Sequence, residues 1–521
     1  MSTSHQSILQ TLSLRERYRD DYRRRRDPIC EDRLLWRAQT FRHLVHLMPG
    51  QSVLELGCGD GLFTRQLSRV SRGENPLTAA TFDREAPRPK ALPEKAEFLT
   101  LSALPGALHG RQFDFVVAMD LLDRVNCAEV LNIVYDLLTP GGRVLFYESN
   151  PWNAVLKLRR FVARLVGKSD PRRLLSRPEL YELISEVGFI RIWAVFNDFV
   201  YHPLTRSMVW VLRNLSILLE NAPVVRTLAG SILIQAQKPP RNPARPSVSL
   251  FEHEALRHAV SVVIPCHNEE MNIGPLVSGL REFFGEYLHE IIAVDDNSTD
   301  RTREVIEGLA AEDPIVKLIE RTPPNGVGRA LTDGYRAATG QWVLSMDCDF
   351  QHLLPEVRDL FDAAAEGFEV VVGSRFSRQS VLLNYPFQKI VANRGFHLLA
   401  QIVLLRSFRD LTNNLKLMRR EVAERLLFTQ PGFAVNAETG LQPLLMGCKI
   451  KEVPISWINR TPDMGTSSFR LVRVGGGYWQ VLLYLWLKAA LGRGPYRDLA
   501  RVGTHRKTWR ERGVPSQGDQ R

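Results

Sequence analysis

The chain is poor in cysteine, and none of its cysteines fall at zinc-ligand spacing. The six (Cys30, Cys58, Cys127, Cys266, Cys348 and Cys448) are scattered through 521 residues with no Cys-x-x-Cys pair. That excludes a disulfide framework and a structural zinc site, and it predicts a reducing, cytoplasmic setting. Long hydrophobic runs are missing too. The longest uncharged apolar stretch near the C-terminus, residues 474–487, has 14 residues, short of the roughly 18 to 20 that cross a bilayer. No spanning helix is therefore expected, and the opening residues, with no apolar core, predict no leader peptide. Zinc-finger spacings and RNA-binding aromatic signatures are also lacking, which argues against nucleic acid as a partner.

What is abundant is positive charge. A net charge of +11 and a pI near 9.5 favour anions such as nucleotides, phosphates or the acidic face of a membrane. The length predicts two or three domains, and 44% hydrophobic with 24% charged residues is the balance of a folded chain. Residues 1–48 alternate charged and apolar positions, with seven arginines between Arg15 and Arg26. They predict a helical extension with a solvated face or an anion contact, and no chemistry.

The first motif is Glu55-x-Gly57-x-Gly59-x-Gly61, placed between a short apolar strand and a helical face that begins at Leu62. Glycines at such a turn let backbone N–H groups approach a ligand at a helix N-terminus. A nicotinamide-binding turn would need its third glycine at position 62, where this chain has leucine. Asp83 ends a second strand 22 residues after Gly61, where a carboxylate can accept both ribose hydroxyls. Residues 113–125 and 138–147 supply two further strands and their turns.

This pattern resembles the class I S-adenosylmethionine-dependent methyltransferases over residues 50–237. The resemblance implies a Rossmann-like domain in which Glu55, Gly57, Cys58, Gly59, Gly61 and Asp83 hold S-adenosylmethionine, with Met119 and Asp120 near the methyl group. Ser102 stands where the family commonly has an adenine-contacting aspartate. The alternative is a binding or scaffolding module that keeps the fold without turnover. Prolines at 239, 240, 243 and 246 then mark a stiff linker.

Beyond the linker the strand-forming run 342–345 leads to Asp347 and Asp349, with Gln351 close behind. Two carboxylates at this spacing point to one side and suit a hard divalent cation, which keeps positions open for phosphate oxygens. Upstream, a strand breaks at Pro265 into Cys-His267-Asn-Glu269, a second ends at Asp295-Asp296-Asn-Ser-Thr-Asp300, and Gly326-x-Gly328 opens a helix. Each acid falls where a parallel sheet opens its ligand crevice.

In this order the motifs resemble the family 2 glycosyltransferases of the GT-A fold, from about 259 to 470. The resemblance implies that Pro265, His267, Glu269, Asp295, Asp296, Gly328 and Asp347 grip a nucleotide sugar, while Asp347, Asp349 and Gln351 hold Mg or Mn. Downstream segments resemble the dolichyl- and polyprenyl-phosphate sugar synthases. They imply a polyprenyl phosphate acceptor held by Arg375, Lys389, Arg394 and Arg460. A phosphate acceptor needs little help from a base, whereas for a glycan or metabolite hydroxyl Glu438 or Asp410 would serve beside Asp347 and Asp349. Asn413-Asn414 replaces the subgroup's Ser-Gly, and Ser468 replaces its Lys. The apolar stretches 381–408 and 474–487 suit helices resting on the inner face of a membrane or packing on the sheet.

The expected architecture is α/β, with two doubly wound domains. Residues 1–48 form a basic helical extension, 49–237 the methyltransferase domain and 238–258 the linker. Residues 259–470 form the GT-A domain, and 471–521 an amphipathic helix with a basic tail.

Overall fold

Short runs rich in Val, Ile and Leu become strands that are buried on both faces, the mark of a sheet covered on each side by helices. The computed structural model describes residues 2–26, 29–165, 173–200, 208–240, 249–348, 354–377, 380–383, 385, 387–458 and 471–500. By internal contacts the chain divides into two units, Met1–Val248 with Arg378–Val391, and Ser249–Ser377 with Ala392–Arg521.

The first unit holds β1 (Val53–Leu56), β2 (Leu77–Thr81), β3 (Glu97–Thr100), β4 (Phe113–Met119), β5 (Leu138–Ser149), β6 (Ile190–Asn197) and β7 (Ser231–Gln237). They lie in the order β3-β2-β1-β4-β5-β7-β6. The first five strands run parallel, and β7 enters antiparallel between β5 and β6. Its helices are α1 (Ser2–Arg26), α2 (Cys30–Leu44), α3 (Leu62–Val70), α4 (Cys127–Asp136), α5 (Ala154–Leu165), α6 (Arg177–Glu186) and α7 (Val209–Asn221). Leu54, Val116, Ala118, Val144, Phe146 and Ile234 anchor the core, and Ile8, Leu9 and Leu12 of α1 pack into the same cluster. α6 starts where its local sequence says it should: Ser176 and Glu179 form a reciprocal capping box, with a proline in the first turn. Chain order reverses between β1 and β4, which opens a crevice at their carboxyl ends.

The second sheet has the order β10-β9-β8-β11-β14-β12-β15. It is built from β8 (Val260–Cys266), β9 (Leu288–Asp295), β10 (Val316–Glu320), β11 (Trp342–Ser345), β12 (Val370–Ser374), β14 (Lys416–Arg419) and β15 (Ile450–Pro454). Two short strands, β13 (Val381–Leu383) and β16 (Ser456–Ile458), lie outside it. Strands β8 to β11 are parallel, and β14 runs antiparallel to both β11 and β12. The helices are α8 (Ile273–Phe284), α9 (Thr302–Glu312), α10 (Val327–Ala337), α11 (Leu354–Ala365), α12 (Phe387–Leu404), α13 (Arg420–Ala423), α14 (Val435–Met446) and α15 (Leu471–Leu491). Here the reversal falls between β8 and β11, again at strand ends that carry acids. Among the described residues no helix is long and apolar enough to cross a membrane.

Candidate active sites

In the first unit the turn after β1 is shaped by Gly57, Gly59 and Gly61, all at positive φ. Three amides of expected ligand residues are used within the protein: Gly57 and Cys58 both donate to the Ala80 carbonyl of β2, and Gly61 donates to that of Cys58. Burial pushes the Cys58 thiol up, so it stays a neutral packing group. Glu55 is buried and accepts from the Thr64 hydroxyl at 2.5 Å, which ties β1 to α3. Asp120 sits at positive φ and caps the Ser149 amide and hydroxyl, at 3.0 and 2.6 Å. The Ser102 side chain is exposed, and its carbonyl accepts from Arg84.

Helix α1 supplies the partners that the sequence did not reveal. The expectation of a solvated face fails for residues 15–20, because Arg15, Glu16, Arg19 and Asp20 are buried. Glu16 accepts from the Gly59 amide at 2.6 Å and the Phe82 amide at 2.8 Å. Arg19 donates to the carbonyls of Gly57 at 2.7 Å and Met119 at 3.1 Å. Arg17 grips Asp83 through two hydrogen bonds, at 3.0 and 2.7 Å, and holds that carboxyl below its ordinary range. The buried positions recur at three- and four-residue steps, a helical face, but the face is charged and so reads as solvent-facing by hydrophobicity.

Glu148 was also missed. Its carboxylate accepts from the Leu121 and Leu122 amides, at 2.9 and 3.1 Å, and so shapes the loop after β4. Burial, with Asp120 nearby, pushes its carboxyl up to about 8.

In the second unit the carboxyl ends of β8, β9 and β11 gather the expected acids. Asp295 is fully buried, accepts from the Ser298 amide at 3.2 Å and pairs with Arg303 at 3.4 Å. Asp296 pairs with Arg321 and accepts from the Gly326 amide at 2.6 Å, while its carbonyl meets His267 Nδ1 at 3.0 Å. Glu269 is partly buried and its carboxylate accepts from Asn272 Nδ2 at 2.6 Å, and Pro265 lies within β8. Gly328 is a glycine for a packing reason: its amide donates to the Pro431 carbonyl, and an added Cβ would meet the Gln430 carbonyl at 2.1 Å.

Asp347 is half-buried beyond the end of β11, and Asn414 Nδ2 donates to its Oδ1 at 2.8 Å. The register pairs Ser345 with Lys416 in antiparallel strands, so two steps onward Asp347 faces Asn414. Lys416 is fully buried, and its ammonium donates to the carbonyls of Asn413 and Asn436 and to Thr439. Burial brings it down to about 7. Asp349, Gln351 and Arg460 lie outside the described residues.

Three expected roles meet contrary geometry. Arg375 is buried with both arms on Asp410, at 2.7 and 3.0 Å, and a third bond to Thr412. Its charge is thus matched within the protein and not held ready for a phosphate. Burial would raise Asp410, yet Arg375 and His397 keep it well below the carboxylate range, so it is a poor base. Glu438 is fully buried and both its carboxylate oxygens are used within the protein, accepting from Thr429, Gln430 and Tyr496. Lys389 is half-buried on α12. Arg394 lies over the Phe376 ring, 5.3 Å from its centroid, half-buried, with the charges of Asp410 and Glu452 acting on it.

Doubly wound sheets with acids at the reversal points define both units as α/β domains of the nucleotide-using kind. Comparison with known proteins makes the assignment specific. Residues 261–427 match the model of Glycosyl transferase family 2, and residues 22–191 match that of a Methyltransferase domain. The chain is 32% identical over 202 residues to a dolichol-phosphate mannosyltransferase of Pyrococcus furiosus, covering 38% of this chain and 56% of that one. It is 30% identical over 213 residues to a polyprenol monophosphomannose synthase of Mycolicibacterium smegmatis, covering 40% of this chain and 79% of the relative. Among solved structures, a glucosyl-3-phosphoglycerate synthase from Mycobacterium tuberculosis with Mn2+ and uridine-diphosphate-glucose aligns at 21% identity and a TM-score of 0.36, over 47% of this chain and 84% of that one. The chain belongs to glycosyl transferase family 2 through its second unit and carries a methyltransferase domain in its first.

Proposed function

We propose that the second unit transfers a sugar from a nucleotide sugar to polyprenyl phosphate, with inversion. The observation that carries the reading is the placement of Asp295 and Asp296 at the carboxyl end of β9 and of Asp347 just beyond that of β11, the two parallel strands that flank β8, in a chain 30% identical to a polyprenol monophosphomannose synthase across 79% of that enzyme. His267 and Asp296 border the space for base and ribose. Asp347, oriented by Asn414, would be one oxygen ligand of a hard divalent cation, and by sequence Asp349 and Gln351 would be the others. Such an ion, when bound, offsets charge on the departing nucleotide. Arg394, braced on the Phe376 ring, is the described cation we assign to an acceptor phosphate.

Two helices support work at the cytoplasmic face of a membrane. α12 exposes Val391, Leu398 and Ile402, and α15 exposes Trp479, Leu483 and Trp486, each row at helical spacing. Label from a radioactive nucleotide sugar should enter an organic-extractable product when polyprenyl phosphate is supplied. One observation favours a hydroxyl acceptor instead: Arg375, expected to meet the lipid phosphate, is neutralised by Asp410. Label confined to the aqueous phase would select that reading.

For the first unit we propose S-adenosylmethionine as ligand. Gly57 and Met119 present carbonyls to its ammonium, Gly59 an amide to its carboxylate, and Asp83 a carboxylate to its ribose. The methyl acceptor would approach beyond Met119.

A further inference from the structure

The Gly57 and Met119 carbonyls, the Gly59 amide and the Asp83 carboxylate, the groups assigned above to the cofactor, already have partners, and those partners come from one helix. We propose that α1 is an intramolecular occupant of the S-adenosylmethionine cleft, so that docking of α1 and binding of the cofactor exclude each other. This rests on the reading of the first unit as a cofactor-binding domain. The cofactor would bring an ammonium, a sulfonium, one carboxylate and a diol, of which the ammonium, carboxylate and diol have counterparts on α1. α1 brings the Arg19 guanidinium to the Gly57 and Met119 carbonyls, the Glu16 carboxylate to the Gly59 and Phe82 amides, and the Arg17 guanidinium to Asp83. Asp20 closes the remaining space, with its Oδ2 1.8 Å from where a Cβ on Gly59 would lie.

Burying charges is costly unless they are paired and hydrogen-bonded. Here the pairing groups are those a ligand would use, so the charges of α1 are satisfied only while the cleft is closed to it. A lid that merely covers a bound cofactor would leave the Gly59 amide and Asp83 to that cofactor. In the docked arrangement methyl transfer is off, and α1 must leave before the reaction can run.

Calorimetry with S-adenosylmethionine on the full chain tests this, comparing wild type with Arg17→Ala and with Glu16→Gln/Arg19→Ala. Arg17 is largely exposed, so its loss leaves the fold intact even where the buried pair is sensitive. The expected result is affinity at least tenfold tighter in the variants, with the cofactor exposing α1 to trypsin in wild type. Unchanged or weaker affinity, with the cofactor protecting α1, would overturn the proposal while leaving the cofactor reading in place. Binding by none of the proteins would overturn both.

An independent observation marks a second surface. α5 exposes Val155, Leu158, Phe161, Val162 and Leu165, and has no acidic residue. Its exposed Lys157 and Arg164 add positive charge. We infer that α5 lies on an anionic bilayer, because an apolar row flanked by cations matches acyl chains below and acidic headgroups above. Vesicle co-sedimentation of the full chain should show Leu158→Ser/Phe161→Ser binding phosphatidylglycerol at least fivefold more weakly than wild type. Equal binding by both proteins, or wild-type binding to neutral phosphatidylcholine as strong as to phosphatidylglycerol, would contradict it.

Discussion

In the proposed reaction Asp347 is the residue most open to test: it is half-buried just beyond β11 and is oriented by the Asn414 side-chain amide. Asp347→Asn should lower glycosyl transfer at least 100-fold while leaving the thermal midpoint within a few degrees of wild type, because a cleft ligand contributes more to the reaction than to the core. Asn414→Ala removes only the orienting hydrogen bond, so turnover should fall about tenfold with KM for the donor little changed. Steady-state kinetics on both variants checks the ranking. The identities of Asp347 and Asn414 are plain in the sequence, but their meeting is not. It depends on β14 entering the sheet antiparallel beside β11, a long-range pairing that no local pattern reports.

Glu148 gives a residue-scale test by titration. An unfolded glutamate titrates near 4.5, whereas the folded one is raised to about 8. Between those values the folded chain holds the extra proton, so its stabilising contribution is full below pH 4.5 and is lost as pH rises towards 8. Glu148→Gln keeps an acceptor for the Leu121 and Leu122 amides. It should flatten the decline in the first unit's thermal midpoint from pH 5 to 8, and an unaltered slope would count against a neutral Glu148.

Among elements, strands were the most legible, because runs such as 53–56 and 260–264 are apolar but for Glu55 and Ser261 and are followed by glycine or proline. α1 was the least legible. Its inward face is charged, and the backbone groups that Arg19 meets lie in the turn after β1, 38 residues away, and at the end of β4, 100 residues away. The glycines also divided: Gly59 borders α1 closely, while Gly328 lets α10 approach the backbone at residues 430–432, and the sequence shows only that both are glycine. α12 and α15 carry a prediction of their own. Replacing Leu398 and Trp479 with serine should reduce transfer to a long polyprenyl phosphate at least fivefold, while metal-dependent hydrolysis of the nucleotide sugar stays within twofold. Parallel assays of both reactions check this, and equal losses in the two would point to a packing role.

At the scale of the whole molecule, each unit has its own seven-stranded sheet and its own core cluster, as expected of domains that keep separate chemistries on one chain. The two family matches fall one in each unit, with the family 2 glycosyltransferase match in the second. Incubating the full-length protein with Mg2+, radiolabelled nucleotide sugar and a short polyprenyl phosphate tests sugar transfer most directly. Label that passes to the organic phase with wild type and stays in the aqueous phase with Asp347→Asn is the predicted result. Equal transfer by the two proteins, or none by wild type to lipid or hydroxyl acceptors from any common nucleotide sugar, would contradict it.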